Sequence, residues 1–270
     1  MNTIYVFTST GNSLRTARQL ASGLGNTRIV SIGAEMKKGT WRIEGDKVGF
    51  VFPCYYGTLP QIVRRFIREA ESVQAAYCFS FVSAGGGMGR SFSVLKSELR
   101  KKGSDLDYGR FIRLVSNYMN GWYYSLIMPG RSELKKRFQR GSKVLSEGSE
   151  EIRNEVHRID KGNFFHYLMP NLLSPKRYTK DTRSWDSEFS VSDNCSGCGI
   201  CVKSCPVGNI TMKDGKPVFA GNCQRCMGCF QFCPEQAINI EGKPMKKKQY
   251  INPEISKKEL FAFHRGEIRV

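Results

Sequence analysis

Eight of the ten cysteines lie between Cys195 and Cys233, and their spacing repeats. The stretch that begins at Cys195 matches the stretch that begins at Cys223, 28 residues further on, at every cysteine and at the proline after the fourth one. Each copy reads C-x2-C-x2-C-x3-C-P. This internal repeat indicates that one small structural unit has been duplicated.

Thiolates at this spacing are typical ligands of cubane iron–sulfur clusters, in which three cysteines of one copy bind one cluster and the fourth binds the other. The pattern therefore predicts two [4Fe-4S] clusters. A pair of zinc sites is the alternative, because C-x2-C is also zinc-ribbon spacing, but the three successive i+3 steps and the Cys-Pro favour iron. The predicted ligand sets are Cys195, Cys198, Cys201 and Cys233 for the first cluster, and Cys223, Cys226, Cys229 and Cys205 for the second.

Residues 191–242, with both motifs intact, resemble a bacterial-type two-cluster ferredoxin. The resemblance implies a module that relays single electrons and does no bond chemistry itself. Cys54 and Cys78 lie outside the repeat, and we expect them to be ordinary buried thiols.

A second motif, FTSTGNS, covers Phe7 to Ser13, after an apolar run and before a helical pattern. It has neither the lysine of a P-loop nor the glycine spacing of a dinucleotide-binding turn. Instead, hydroxyl and amide side chains surround backbone N–H groups at a helix N-terminus. This combination favours the binding of a terminal phosphate without a cationic side chain.

The motif resembles the phosphate-binding loop of flavodoxins, T/S-x-T-G-N-T/S, and the resemblance extends over residues 1 to about 160. It implies that FMN is the cofactor and that two further loops contact the flavin ring. The implied phosphate-binding residues are Thr8, Ser9, Thr10, Gly11, Asn12 and Ser13. The implied ring contacts are Tyr55, Tyr56 and Gly57 in one loop and Ala84, Gly85, Gly86, Gly87 and Met88 in the other.

The loop that begins at Ala84 departs from the flavodoxin pattern because it contains no bulky aromatic residue. One face or edge of the flavin would then be open. The aromatic segment from Ser116 to Ser125 either covers that opening or fills a gap between domains. A flavodoxin-like domain that does not bind flavin is a further alternative.

Hydrophobic periodicity predicts the elements that position these loops. Strands are expected at residues 3–8, 28–32, 46–53, 75–82 and 110–115, and helices at 13–24, 59–72 and 91–102. Such alternation predicts a mostly parallel sheet covered on both faces, with ligands at the carboxyl ends of the strands. The predicted fold class is α/β: a flavodoxin-like, doubly wound, parallel, five-stranded sheet, followed by a small α+β two-cluster ferredoxin-like domain.

The chain is expected to divide into four segments. Residues 1–161 form the flavodoxin-like FMN-binding domain with a helical extension, which we expect to break near Gly141 or Gly148. Residues 162–190 are an ordered linker, residues 191–242 the ferredoxin-like domain, and residues 243–270 a basic, peripheral C-terminal tail.

The 42 Lys and Arg against 24 Asp and Glu give a formal net charge of +18. Eight metal-bound thiolates would offset part of that charge. The remaining basic balance suits an acidic redox carrier protein of ferredoxin or flavodoxin type, or a redox enzyme. The sequence has no secretory signal and no run of eighteen apolar residues, so we expect a cytoplasmic protein without a transmembrane segment.

The two parts in this order resemble the flavodoxin-ferredoxin fusion proteins of anaerobic bacteria and archaea. The resemblance implies an electron-transfer iron-sulfur flavoprotein that passes electrons between the clusters and FMN and couples low-potential carriers. The alternative is an FMN-dependent reductase of a small organic substrate, fed by the clusters.

A redox sensor that contacts nucleic acid rests on the basic charge alone, and without a nucleic-acid-binding motif we expect no nucleic-acid partner. The three histidines, His157, His166 and His264, are scattered, so no catalytic residue is predicted.

Overall fold

The structure is a computed structural model, and it describes residues 1–116, 129–162, 185–242 and 249–267. The predicted aromatic segment, from residue 117 onward, lies outside the described residues. So do most of the predicted linker (163–184) and the first part of the predicted tail (243–248).

The largest sheet has six parallel strands in the order β2-β1-β4-β6-β7-β8. Its first five strands have the 2-1-3-4-5 order of the flavodoxin-like fold, which confirms the predicted fold class. A sixth strand of two residues extends one edge and is too short to show a period in the sequence. The strands are β1 (Asn2–Val6), β2 (Thr27–Ser31), β4 (Lys47–Pro53), β6 (Tyr77–Ala84), β7 (Tyr108–Arg113) and β8 (Arg158–Ile159). Separately, β3 (Ile43–Glu44) pairs with β5 (Val73–Gln74).

Helices cover both faces of this sheet, and a hydrophobic core lies under each layer. One core contains the inward side of α3 and α4, and the other that of α1 and α5. The central strands are buried on both sides, which is why they read as continuous apolar runs. The helices of this part are α1 (Asn12–Leu24), α2 (Ile32–Met36), α3 (Gln61–Glu69), α4 (Ser91–Arg100) and α5 (Arg131–Arg153).

The expected break in α5 is wrong, since the helix runs through both glycines. A Cβ at Gly141 would lie 3.0 Å from Ile112 Cγ2, and one at Gly148 would lie 2.6 Å from Phe81 Cζ. The two glycines therefore let the helix lie close against the sheet, and the missing side chains are a packing requirement rather than a stop signal.

The cysteine-rich part consists of two antiparallel strand pairs and two short helices. Strand β9 (Phe189–Val191) pairs with β12 (Ile238–Ile240), and β10 (Ile210–Lys213) pairs with β11 (Lys216–Phe219). The short helices are α6 (Ile200–Ser204) and α7 (Gly228–Phe232). Because β9 begins at Phe189, the last residues of the predicted linker belong to this unit. The four-part division of the chain otherwise stays a prediction.

The C-terminal part was expected to be peripheral, and for residues 249–267 that expectation is wrong. Helix α8 (Lys257–Arg265) buries Leu260 and Phe263 and packs against α2 and α6. The apolar residues of α8 lie on one face of the helix. The many basic residues of the tail make this pattern hard to see in the sequence. Among the described residues, no helix has the length and apolarity needed to cross a membrane.

Candidate functional site

The first predicted set of cysteines converges on one small cavity. Cys195, Cys198, Cys201 and Cys233 all line it. Met212 and Ile238 are among the apolar residues that complete its wall. The fourth cysteine of the second copy thus joins the first three of the first copy, as the cluster pattern requires.

The second set is buried deeper and its thiols interact with one another. Burial, followed by the neighbouring Cys205 thiol, raises the pKa of Cys226 to about 12. Burial also raises the pKa of Cys229 well above its ordinary value, with Cys226, Cys223 and Cys205 as further causes. Such a group ionises only when a cation compensates the charge, and the irons of a cluster supply that compensation.

The duplicated unit keeps the same backbone in both copies. Left-handed φ angles occur at Gly197 (71°) and Gly199 (69°) in the first copy and at their equivalents Arg225 (50°) and Met227 (65°) in the second. Residues with side chains rarely adopt this conformation, and it carries a strain cost. The backbone of the second copy follows the same path as that of the first despite this strain. This indicates that the path is needed to direct the cysteines.

Backbone N–H groups donate to sulfur atoms of both cysteine sets. Asn209 N–H donates to Cys205 Sγ at 3.2 Å, and its equivalent Ala237 N–H donates to Cys233 Sγ at 3.2 Å. Arg225 N–H donates to Cys223 Sγ at 3.4 Å. Hydrogen bonds to cluster sulfurs are among the factors that set the reduction potential.

Within the described residues, no three His, Cys, Asp or Glu side chains converge tightly enough to hold a single metal ion. The two thiol groups described above, with four cysteines each and no histidine or carboxylate among them, have the donor chemistry of cubane iron–sulfur clusters. Cys54 and Cys78 lie outside both groups; Cys78 is buried, as predicted, whereas Cys54 is half-buried. Burial raises the pKa of each to about 11.

The hydroxyl-rich loop connects β1 to α1, and all its hydroxyl residues are buried. Gly11 adopts a φ of 98° and its N–H donates to Thr8 Oγ1 at 3.2 Å. The first turn of α1 has no side-chain cap and no acidic residue. Within the described residues, Ser9 Oγ is buried without a hydrogen bond of standard geometry. Uncapped N–H groups and hydroxyls at a helix start fit a phosphate monoester.

Asn12 was predicted to bind the phosphate, but its side-chain oxygen is engaged in other contacts. Its Oδ1 atom accepts hydrogen bonds from Tyr250 Oη at 2.7 Å and from Asn252 Nδ2 at 2.8 Å. The backbone carbonyl of Thr8 contacts His264 Nε2 at 3.1 Å. Sequence reasoning missed these three C-terminal residues, because no spacing rule connects them to a loop more than 230 residues earlier.

The two loops predicted to contact the flavin ring lie beside the hydroxyl-rich loop, because β1, β4 and β6 are neighbours in the sheet. They also contact one another, since Arg90 N–H donates to Gly57 O at 2.6 Å. Gly85 packs against Ser116, and Gly86 has open space where a side chain would stand. The carboxyl ends of these strands lie at one end of the sheet. Ala84, Gly85, Gly86 and Gly87 therefore lie at the same end of the sheet as the hydroxyl-rich loop.

The tyrosines predicted to flank the flavin have different surroundings. Tyr55 is buried and its ring meets the Phe7 ring edge-on, with centroids 6.3 Å apart. Tyr56 has a left-handed φ of 48°, and the Arg225 guanidinium lies 5.4 Å from its ring centroid. Met88 belongs to the hydrophobic core. Tyr56 thus contacts the second cysteine loop.

Arg225 was also missed by sequence reasoning, although its position equivalent to Gly197 in the repeat is a visible asymmetry. Its side chain is buried and forms ion pairs with Glu188 at 2.9 Å and Glu241 at 2.8 Å. Its guanidinium also lies 5.0 Å from the Trp185 ring centroid. Arg225 therefore joins the second cysteine loop to one end of the β9-β12 pair, where Glu188 and Glu241 are neighbours.

His157 and His264, the two histidines in the described residues, form no common site. His157 is exposed and lies 3.3 Å from Asp107, whereas His264 is buried beneath the hydroxyl-rich loop. His166 lies outside the described residues.

Comparison with protein families matches residues 194–238 to the 4Fe-4S dicluster domain. No curated protein matches the chain. Among solved structures, the chain is similar to two-electron reduced Megasphaera elsdenii flavodoxin, with 16% identity, a TM-score of 0.32, and coverage of 53% of this chain and 99% of that one. It is also similar to an FMN-dependent NADH-azoreductase from Bacillus anthracis in complex with FMN, with 9% identity, a TM-score of 0.37, and coverage of 56% and 99%.

The structural similarities are too weak to add to the strand order, which by itself defines the flavodoxin-like fold. The chain is therefore a flavodoxin-like sheet domain joined to an iron–sulfur 4Fe-4S dicluster domain. This architecture fits a flavodoxin-ferredoxin fusion.

Proposed function

We propose that the protein is an electron-transfer iron-sulfur flavoprotein that passes electrons between two [4Fe-4S] clusters and FMN. The observation that carries the proposal is the contact between the second cysteine loop and the hydroxyl-rich loop. The Ser9 hydroxyl lies beside the Cys226 thiol. A Cβ at Gly228 would lie only 3.5 Å from Ser9 Oγ. The centres that the two loops would bind are thus held next to each other.

The exposure of the cysteines supports an order for the two clusters. Cys198 is exposed and Cys195 is half-buried, whereas Cys223, Cys226 and Cys229 are buried. The first cluster would therefore exchange electrons with a partner at the surface. The second would relay them to the flavin from inside the protein.

The chain's own residues contribute binding, orientation and exclusion of water. Backbone N–H groups at the start of α1, with the hydroxyls of Thr8, Ser9, Thr10 and Ser13, would hold the phosphate of FMN. The flavin, when bound, supplies the conversion between two-electron and one-electron transfer. Burial of Cys223, Cys226 and Cys229 would keep water away from the second cluster.

The proposed partner is an acidic redox carrier or a redox enzyme. Residues 191–242 contain four Lys and Arg and four Asp and Glu, so the basic excess of the chain lies outside the cluster domain. An acidic partner would then be steered by the sheet domain and its flanking segments while it docks near the first cluster.

The test begins with anaerobic purification of the full chain, followed by iron and flavin analysis. About eight irons and one FMN per chain are expected. Cys198→Ser should reduce the iron content, whereas Cys78→Ser, at a buried thiol outside both sets, should leave it unchanged. Removal of FMN should abolish turnover between two one-electron carriers. Full-rate turnover by the flavin-free protein would contradict the proposal, and reduction of a small organic substrate would favour a reductase instead.

A further inference from the structure

The C-terminal segment 249–267 forms one wall of the hydroxyl-rich loop. Asn252 is 1% exposed, and its backbone N–H donates to Thr10 O at 2.9 Å. Its side chain donates to Asn12 Oδ1 at 2.8 Å, and Tyr250 Oη donates to the same oxygen at 2.7 Å. The loop and the first residue of α1 are therefore fixed by two residues from the other end of the chain.

The orientation of the Asn252 amide is determined by its neighbours. Its Oδ1 atom accepts from Glu254 N–H at 2.9 Å, so its Nδ2 atom must point towards Asn12. The Asn12 oxygen, with two donors, has both of its lone pairs engaged. Asn12 is thereby held by its side chain, and its backbone N–H is presented with the rest of the first helical turn.

The same segment is anchored to both halves of the protein. Tyr250 N–H donates to Gln231 Oε1 at 2.7 Å, and Gln231 lies in α7 between two cysteines of the second copy. On the other side, Arg15 of α1 pairs with Glu254 at 2.7 Å. The segment therefore connects the second cysteine loop to the start of α1 through polar contacts.

We propose that Tyr250 and Asn252 are positioning residues for the phosphate of a flavin mononucleotide. They act through Asn12 and Thr10 and set the N–H groups and hydroxyls that receive the phosphate. The inference rests on the proposed function, because it requires FMN to be the ligand of the loop. It also predicts a difference between ligands. Changes at the two residues should weaken binding of the phosphate group and leave binding of the flavin ring unchanged.

The test compares FMN with riboflavin, which has the same ring and no phosphate. The full chain, with its clusters reconstituted anaerobically, is titrated with each flavin, and quenching of flavin fluorescence gives the dissociation constant. Asn252→Ala should weaken FMN binding by about tenfold and Tyr250→Phe by about threefold, the range expected for one or two neutral hydrogen bonds. Riboflavin affinity should stay at the wild-type value in both variants.

Asn252→Asp is the diagnostic variant, because it keeps the acceptor for Glu254 N–H and loses the donor to Asn12. It should weaken FMN binding at least as much as Asn252→Ala. Lys258→Gln, at an exposed position of α8, is the matched control and should bind both flavins like the wild type. In a ³¹P spectrum, the bound FMN phosphate should shift in the Asn252 variants and not in the control.

Equal weakening of FMN and riboflavin would overturn the inference, because it would show that the segment supports the fold in general. Unchanged FMN affinity in Tyr250→Phe and both Asn252 variants would overturn it as well. Should Asn252→Ala fail to fold, Tyr250→Phe carries the same comparison with a smaller change. A wild-type chain that binds riboflavin and FMN equally, or binds neither, would instead refute the proposed phosphate site itself.

Discussion

Gly33 of α2 lies against the backbone of Pro206, the residue after Cys205 in the first copy of the cysteine repeat, and Gly33→Ala is predicted to push the two apart. A Cβ at Gly33 would lie 3.0 Å from the Pro206 carbonyl carbon and closer still to its oxygen. A carbon atom and a carbonyl oxygen come no closer than about 3.3 Å, so the Pro206 segment would have to retreat by more than about 1 Å. Because the obstacle is backbone rather than a flexible side chain, the cost should be about 1–3 kcal/mol.

The control for this substitution is Gly130→Ala, since a Cβ there meets no atom within 4 Å and the glycine has no left-handed φ. Both variants should retain full iron and flavin content. Anaerobic thermal unfolding should show a lower midpoint for Gly33→Ala, by roughly 2–4 °C for each kcal/mol. Electron transfer from the clusters to the flavin, followed by rapid-mixing spectroscopy, should be slower in Gly33→Ala only. Identical midpoints and rates in the two variants would show that the contact at Pro206 does not position the second cluster.

Three further predictions concern stability. Glu98 is buried and accepts hydrogen bonds from Arg64, Arg68 and Lys101. Glu98→Gln should therefore lower the free energy of unfolding, measured in urea, by about 2 kcal/mol. An unchanged free energy would show that the three cations need no counter-charge. Gly148→Ala should lower the free energy of unfolding by about 1–3 kcal/mol relative to Gly130→Ala, because Phe81 occupies the space of the new methyl group. Equal free energies in the two variants would contradict the close approach of α5 to the sheet. Burial lowers the pKa of His264 from 6.5 to about 3, so the unfolded chain takes up the proton first as the pH falls. Stability should then decrease by about 2 kcal/mol between pH 7 and pH 5 from this group, and His264→Gln should remove that part of the slope.

The cysteine repeat and the hydroxyl-rich loop could be predicted because each is a local pattern. A cluster motif places its ligands within a few residues, and a strand-turn-helix loop carries its own hydroxyls. The alternation of strands and helices, and with it the parallel sheet, followed from the apolar pattern, since buried parallel strands and amphipathic helices have different periods. Candidate residues such as Cys198 and Ser9 could therefore be named from the sequence, and their roles stay predictions.

The missed features depend on contacts between distant parts of the chain. Tyr250 and Asn252 belong to a segment whose lysines suggested a solvated tail, and only the fold shows which side of α8 is buried. Gly141 and Gly148 look like helix breaks in isolation, because close packing against a sheet has no signature in the helix sequence. Arg225 is an exception: comparison of the two repeats shows a charged residue where the first copy has glycine.

The bond between Asn252 and Asn12 joins residues 240 positions apart, which has a consequence for the order of assembly in the cell. Domains generally fold as units during synthesis, N-terminal first, so the parallel sheet can form while the ribosome is still translating the cysteine repeat. The phosphate loop, however, lacks one wall until residue 252 has left the exit tunnel. Clusters and polypeptide would then have to be in place before the flavin binds tightly. A chain that stops before residue 252 would fold into the sheet domain but bind its nucleotide weakly.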